Sequence, residues 1–419
     1  MNSISSTGKV LVLIQVVILG ALLAGCAAPE PRVSVPSPLT AGSFPPPEAT
    51  ALPAGTTAYD HGDIAQAFGR LAFDGEDERD RRGLLRLATP VAIVSEAVPD
   101  LAPFLEAYGT WLSAETGVPF VPAPVPGGGR IVVRRIDRGL STSLTGAACA
   151  LIAGDVTVAA LQADPGTAIE QTSLGTGRMA AATVFLPAGG PDWLIEGCLA
   201  EEVPQALGLM NDMPDLGPSA FNDDGVHRWP TALDLLMLRL LHDPALVDGM
   251  ARPEAEAAAR QRLDEINPAG VGATARLPLA SSRRAQAYNR IAATVFAPQT
   301  PPDARPAAAE EALLLAPSRV PSLHCAGLFA LGKAERGVNP ARAAILLEDA
   351  GRVCSTVWPG DRLREAVIAL ERAAAASLAG QQGLVDRLAA PLPAIFETYG
   401  QPRRARAAEG LLSAAASGT

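Results

Sequence analysis

Along the first half of the chain the apolar positions change period repeatedly, from helical spacing to strand-like runs and back. Ile64, Phe68 and Leu71 fall at i, i+4 and i+7 and predict a short helix with one buried edge. The mixed charges from Asp74 to Arg82 predict a solvated loop. A strand is expected at Val91–Val94, then a helix entered through Pro99, with Leu101, Phe104, Leu105, Tyr108 and Leu112 on one face and a stop at Gly117. Pro and Gly from Pro119 to Gly129 connect to a second strand starting Ile131-Val132-Val133, and weaker strands are expected at Val156–Ala159 and Ala181–Leu186. Trp193 to Asp212 follows as a helix and turn, W-L-I-E-G-C-L-A-E-E-V-P-Q-A-L-G-L-M-N-D. Thr231 is placed to cap a further helix whose Leu233, Leu236, Met237 and Leu240 form an apolar stripe.

From about Pro253 the pattern becomes wholly helical and rich in alanine and arginine. Helices are predicted at Glu254–Ile266 and Arg283–Phe296, and, after a Pro-rich join from Pro298 to Pro306, at Ala307–Leu315, Ser322–Lys333, Ala341–Val353, Arg362–Leu378, Leu384–Phe396 and Arg403–Ala415. Helix pairs of this length fit a small right-handed stack of hairpins or a plain bundle. The expected segments are 1–25, an export signal; 26–56, a tether; 57–252, an α+β domain with a twisted mixed sheet; 253–306, a helical connector; and 307–419, an all-α domain.

At 419 residues and 48% hydrophobic positions the chain can bury two cores. A net charge of −10 without a basic stripe makes nucleic acid an unsuitable partner. Lys9 precedes an apolar run from Val10 to Leu23, too short to span a bilayer, which has the order of an export signal. The run ends in Leu23-Ala24-Gly25-Cys26, which resembles a bacterial lipobox. That resemblance implies cleavage before Cys26, lipidation of Cys26 and, with Ala27 next, an outer-membrane anchor facing the periplasm. Residues 27–55 carry eight prolines and predict an extended tether of at most roughly 90 Å at ~3.1 Å per residue. Four cysteines remain, and the expected disulfides are Cys149 with Cys198 and Cys325 with Cys354, although spacing alone leaves three connectivities open.

Candidate chemistry lies in the Trp193–Asp212 stretch. Glu201, Glu202, Gln205, Gly208 and Asn211 fall on the spacing that metzincin zinc proteases fill as H-E-x-x-H-x-x-G-x-x-H. In such an enzyme two histidines one turn apart share a helix face and bind the metal, and the intervening glutamate acts as general base. Here the ligand places hold Glu201, Gln205 and Asn211, and Glu202 stands at the place of the base. A carboxylate with two carboxamides is a poor zinc set, so no zinc cofactor is expected; a weakly held calcium or magnesium ion would need waters and Asp212 to complete its shell. Pro204 removes a helical hydrogen bond at a cost of ~3 kcal/mol, which compromises the ligand geometry unless the helix kinks or begins later. His61, His227, His242 and His324 stand at no mutual ligand spacing.

The runs C-L-A-E-E-x-x-Q-A-L-G-L-x-N-D, then S-x-F-N-D, then L-D-x-x-x-L-R-x-L-x-D-P-x-L-x-x-G-M resemble the proteobacterial family catalogued as domain of unknown function 2927, several of whose members look like lipoproteins. The resemblance covers about Asp63 to Met250 and implies that E-E-x-x-Q is the family's own pattern, from which Val203-Pro204 departs where Leu-Thr is expected. Together the order of elements and the motif lead us to expect a zincin-like domain that has lost its zinc. The expected function is a surface-tethered binding or scaffolding lipoprotein that grips an extended peptide or envelope protein. The alternative is an atypical metal-dependent hydrolase or peptidase with Glu202 as general base.

Overall fold

A computed structural model describes residues 50–51, 59–75, 81–96, 98–137, 149–163, 177–297 and 299–416. The expected signal, Cys26 and nearly all of the tether lie outside the described residues. Helix α1 (His61–Phe73) is capped by the Asp60 carboxylate, which accepts from the Gly62 and Asp63 amides at 2.9 and 3.2 Å. Its Ile64, Phe68 and Leu71 are buried as the spacing predicts. Burial extends further round the helix to Arg70, whose guanidinium grips Asp215 through two bonds of 2.7 and 2.9 Å. The expected solvated loop is corrected at both ends: Asp74 and Arg81 are buried. Asp74 is paired with Arg70 and Arg252, and Arg81 donates to the Ala72 carbonyl. Composition does not distinguish charges that pair with one another from charges that face water.

The central sheet is formed by β2 (Val91–Ser95), β3 (Phe120–Val121), β4 (Gly129–Ile136), β5 (Ala150–Ala153) and β7 (Ala181–Pro187), following a short β1 (Leu85–Leu87) and with β6 (Gly177–Met179) just before β7. Its spatial order is β3-β2-β4-β7-β5, parallel throughout except for the antiparallel edge strand β5, while β1 and β6 make a separate parallel pair. Helix α2 (Ala102–Thr116) connects β2 to β3, buries Phe104, Leu105, Tyr108 and Leu112, and ends at Gly117. The strand expected at Val156–Ala159 is not there. The strand is Ala150–Ala153, and Val158–Ala163 forms a short helix, α3. Thr183 on β7 imposes the break, accepting from the Val156 amide and donating to the Gly154 carbonyl, so the chain turns away from the sheet before Val156.

Beyond β7 come α4 (Asp192–Gln205), α5 (Ala232–Leu241) and α6 (Arg252–Ile266), the last packed on α1. The Thr231 cap is confirmed as a reciprocal box with Asp234. The α5 stripe is wider than expected, since Leu235, Leu238 and Leu241 are buried too. The remainder is helical: α7 (Ser282–Val295), α8 (Arg305–Leu315), α9 (Pro321–Glu335), α10 (Pro340–Val357), α11 (Arg362–Leu378), α12 (Gln382–Ala389), α13 (Leu392–Thr398) and α14 (Pro402–Ala416). The helix expected at Leu384–Phe396 is two helices, divided at Pro391, which has no amide to continue the first. Two disulfides are present, Cys149–Cys198 and Cys325–Cys354, with Cα separations of 5.9 and 5.1 Å. The first joins the start of β5 to α4, and the second joins α9 to α10.

Candidate functional site

Helix α4 carries Glu201, Glu202 and Gln205 and runs through Pro204 to its end. A residue with an amide at position 204 would donate to the Ala200 carbonyl one turn back. The buried Tyr108 hydroxyl on α2 does so instead, at 2.7 Å. The departure from helical bonding that the sequence exposes is thus made good from a neighbouring helix, and α4 needs no later start. The chain then turns at Gly208, whose φ of 140° suits glycine and whose Cα lies so close to β1 that an added Cβ would stand 2.3 Å from the Leu85 carbonyl oxygen. The Leu87 amide bonds the Leu207 carbonyl across the same contact.

The positions on the metzincin spacing are not brought to a common point by their bonds. Gln205 is buried and donates to the Asp212 carboxylate at 2.7 Å. Asn211 is buried and donates to the Arg70 carbonyl at 3.4 Å. Glu201 and Glu202 are half-buried. Glu201 forms no hydrogen bond or ion pair with a described residue, and burial first, then Asp212, Asp223, Glu202 and Asp224, holds its proton well above the usual carboxylate range. This donor set does not fit zinc: one carboxyl favours its proton, carboxamide oxygens are weak zinc ligands, and the NH2 groups of both carboxamides hold those side chains toward other residues. Among the described residues no three His, Cys, Asp or Glu side chains are grouped to hold a metal ion.

The structure adds residues to this region that sequence reasoning missed. Asp223, at a left-handed φ of 53°, sits near enough to Asp212 and Asp224 for their charges to help raise its proton affinity. Crowding by protein is the larger cause, Lys333 opposes both, and the result is about 7. Asp223 is itself exposed, and the neighbouring carboxylates Asp212 and Asp224 raise its proton affinity. Lys333, on α9, stands over the rings of Phe296 and Phe329 at 4.9 and 5.1 Å from their centroids. Asn289 on α7 donates to the Asp212 carbonyl at 3.1 Å. The N-D-D-G run at 222–225 was a legible turn signal, but nothing local marks a lysine more than a hundred residues downstream as its neighbour.

The helical region also holds the loop that bears Asp223. Arg364 donates to Asp224 at 2.6 Å and to the Gly217 carbonyl at 2.7 Å. Asp361 pairs with His227 at 3.0 Å, and Gln401 donates to the Val226 carbonyl at 3.0 Å. Gly217 lies against the Trp358 indole, which an added Cβ would approach to 2.1 Å.

Residues 61–261 match the model of the family described as Protein of unknown function (DUF2927). The match supports the DUF2927 family. The matched segment extends from α1 into α6, so it includes the sheet, α4 and the Asp223 loop. Asn289, Lys333 and Arg364 lie beyond the DUF2927 match. No curated protein and no solved structure matches the chain.

Proposed function

We propose that this DUF2927 protein is a zincin-like binding module without hydrolytic activity, held at the cell envelope by a lipid on Cys26 and recognising an extended polypeptide. The observation that carries the reading is the commitment of Gln205 to Asp212 and of Asn211 to the Arg70 backbone, which turns two ligand positions into structural polar contacts. The order strand, helix, strands and motif helix supports the zincin-like assignment, as does the α4 spacing ending at Gly208. Edge strand β5 is paired on one side only among the described residues and is tied to α4 by Cys149–Cys198, which offers main-chain groups for an added strand beside the motif helix.

The test uses the full chain and fluorescein-labelled extended peptides of mixed sequence, followed by anisotropy and by mass spectrometry of the peptides after incubation. Saturable binding with the peptides left intact is expected. Cleavage that disappears in Glu202→Ala would overturn the reading in favour of a hydrolase, and the absence of binding to any peptide would overturn it outright. The anchor is tested separately: mass spectrometry of the mature protein should find an acylated Cys26 at its amino end.

A further inference from the structure

We infer that Arg228 and Arg403, set around Trp193 at the start of α4, form a subsite for a carboxylate, the free carboxyl terminus of the bound polypeptide. This deepens the proposed binding function, and the choice of a terminal carboxylate rests on it.

Trp193 stands on the first turn of α4 and remains 38% exposed. From α14 the Arg403 guanidinium lies over its ring, 3.9 Å from the centroid. That contact occupies a face of the guanidinium and leaves its N–H edge unused, for Arg403 makes no hydrogen bond or ion pair with a described residue. Stacking fixes a long side chain, so its donors are in place before a ligand arrives. Arg228 reaches the same turn from the 217–228 loop and donates to the Trp193 carbonyl. Its guanidinium lies along the helix over Gly197, where an added Cβ would stand 3.3 Å from Nη2. Its carboxylate partner among the described residues, Glu196, is 4.0 Å away, too far for a hydrogen bond. Arg404, beside Arg403 on α14, is spent on neutral oxygens of Gly225, Val226 and Gln401. Positive charge is therefore gathered here without close counter-charge, whereas Arg70, Arg134 and Arg364 have carboxylates at 2.7, 2.7 and 2.6 Å. The protons respond in the expected direction. Burial and then the charge of Arg403 lower Arg228 against the pull of Glu196, and burial and then Arg228 bring Arg404 down to about 10.

The kind of anion follows from the surroundings. Asp192 and Glu196, one turn apart on α4, repel a second negative charge, so the site suits a monoanion better than a phosphate dianion. A carboxylate presents two oxygens that accept in parallel from guanidinium N–H groups. Pro191 at the cap offers the first amides of α4 no side-chain acceptor, and the positive end of the helix dipole adds to the same field. Topology indicates which carboxylate. A strand added antiparallel to β5 runs toward the first residues of β5 and ends there. That end of β5 adjoins Cys149, which is bonded to Cys198, and Arg228 lies over the residue before Cys198. The carboxyl end of such a peptide is thus delivered to the half of α4 that carries Trp193.

The experiment measures anisotropy with the full chain and two labelled neutral decapeptides of one sequence, the first ending in a free carboxylate and the second in an amide. N-acetylglycine and inorganic phosphate are titrated separately, their binding read as the tryptophan fluorescence change that is lost in Trp193→Phe. The free acid should bind at least about tenfold more tightly than the amide, and N-acetylglycine should bind more tightly than phosphate. Arg403→Gln, at an exposed position, should bring the free acid down to the level of the amide and leave the amide's affinity unchanged, a pattern that general damage to the fold does not produce. Arg228→Gln should act in the same direction. Equal binding of acid and amide, or a preference that survives Arg403→Gln, would overturn the inference and leave the binding function standing. Tighter binding of phosphate than of N-acetylglycine would overturn the carboxylate assignment. N-acetylglycine binding with no binding of either peptide would uphold the subsite and overturn the polypeptide reading.

Discussion

Asp223 joins a backbone conformation that few non-glycine residues adopt to a carboxyl whose proton affinity is raised to about 7. Its ordinary value is 3.8, so the folded protein holds this proton over a range in which the unfolded chain has already released it. Folding therefore binds protons between about pH 4 and pH 7, and this group's contribution to stability falls as the pH rises through that window. Glu201 acts in the same direction. Asp223→Asn preserves shape and tolerates the left-handed backbone, so the variant should be the more stable protein at pH 8 and should lose part of its advantage by pH 5. Urea midpoints at the two pH values measure this. Identical pH dependence in the two proteins would show that Asp223 does not carry the raised affinity.

At the scale of elements, α4 depends on α2 for one of its own bonds. Tyr108→Phe leaves the buried Ala200 carbonyl without its donor and should cost about 1–3 kcal/mol, while Pro204→Ala supplies a backbone amide at that place. The phenylalanine change should therefore cost less in the Pro204→Ala background, and denaturant unfolding of the four proteins gives the coupling. Equal costs in both backgrounds would show that the tyrosine acts elsewhere. This pairing also marks how far sequence reading reached. Pro204 was visible as a break in helical bonding, and its neighbour Tyr108 was visible only as part of an apolar face. Long periodic helices such as α2 and α11 were legible because one buried face fixes their phase, and the caps at Gly117 and Thr231 had local chemistry. The short strands β1, β3 and β6 were not, since two or three residues hold too little alternation and are specified by their partners. The polar motif positions were legible as a spacing. Which of them would be spent on internal bonds was decided by groups distant in sequence, among them the Arg70 carbonyl.

For the whole molecule, the family segment does not contain all of its own support. Asp215 accepts from Arg70 within the segment and from the Ala280 amide beyond it. The Asp212 carbonyl is bonded from Asn289, and the 217–228 loop is held by Arg364, Gln401 and Trp358. A fragment ending at residue 261 should thus unfold at least about 10 °C below the full chain or without a cooperative transition, because several buried polar groups lose their partners together. Matching thermal unfolding in the two would show that the matched segment is self-sufficient. The two disulfides bear on how such a chain is made. Each joins cysteines that follow one another in the sequence, Cys149 to Cys198 and Cys325 to Cys354. In a chain oxidised as it emerges amino end first, the order of appearance already gives that pairing, and Cys26 is the single earlier thiol able to intercept Cys149. If Cys26 is acylated, as proposed, its sulfur keeps its place in the queue but leaves the competition, and the four remaining thiols have a timetable of exit that matches their native connectivity.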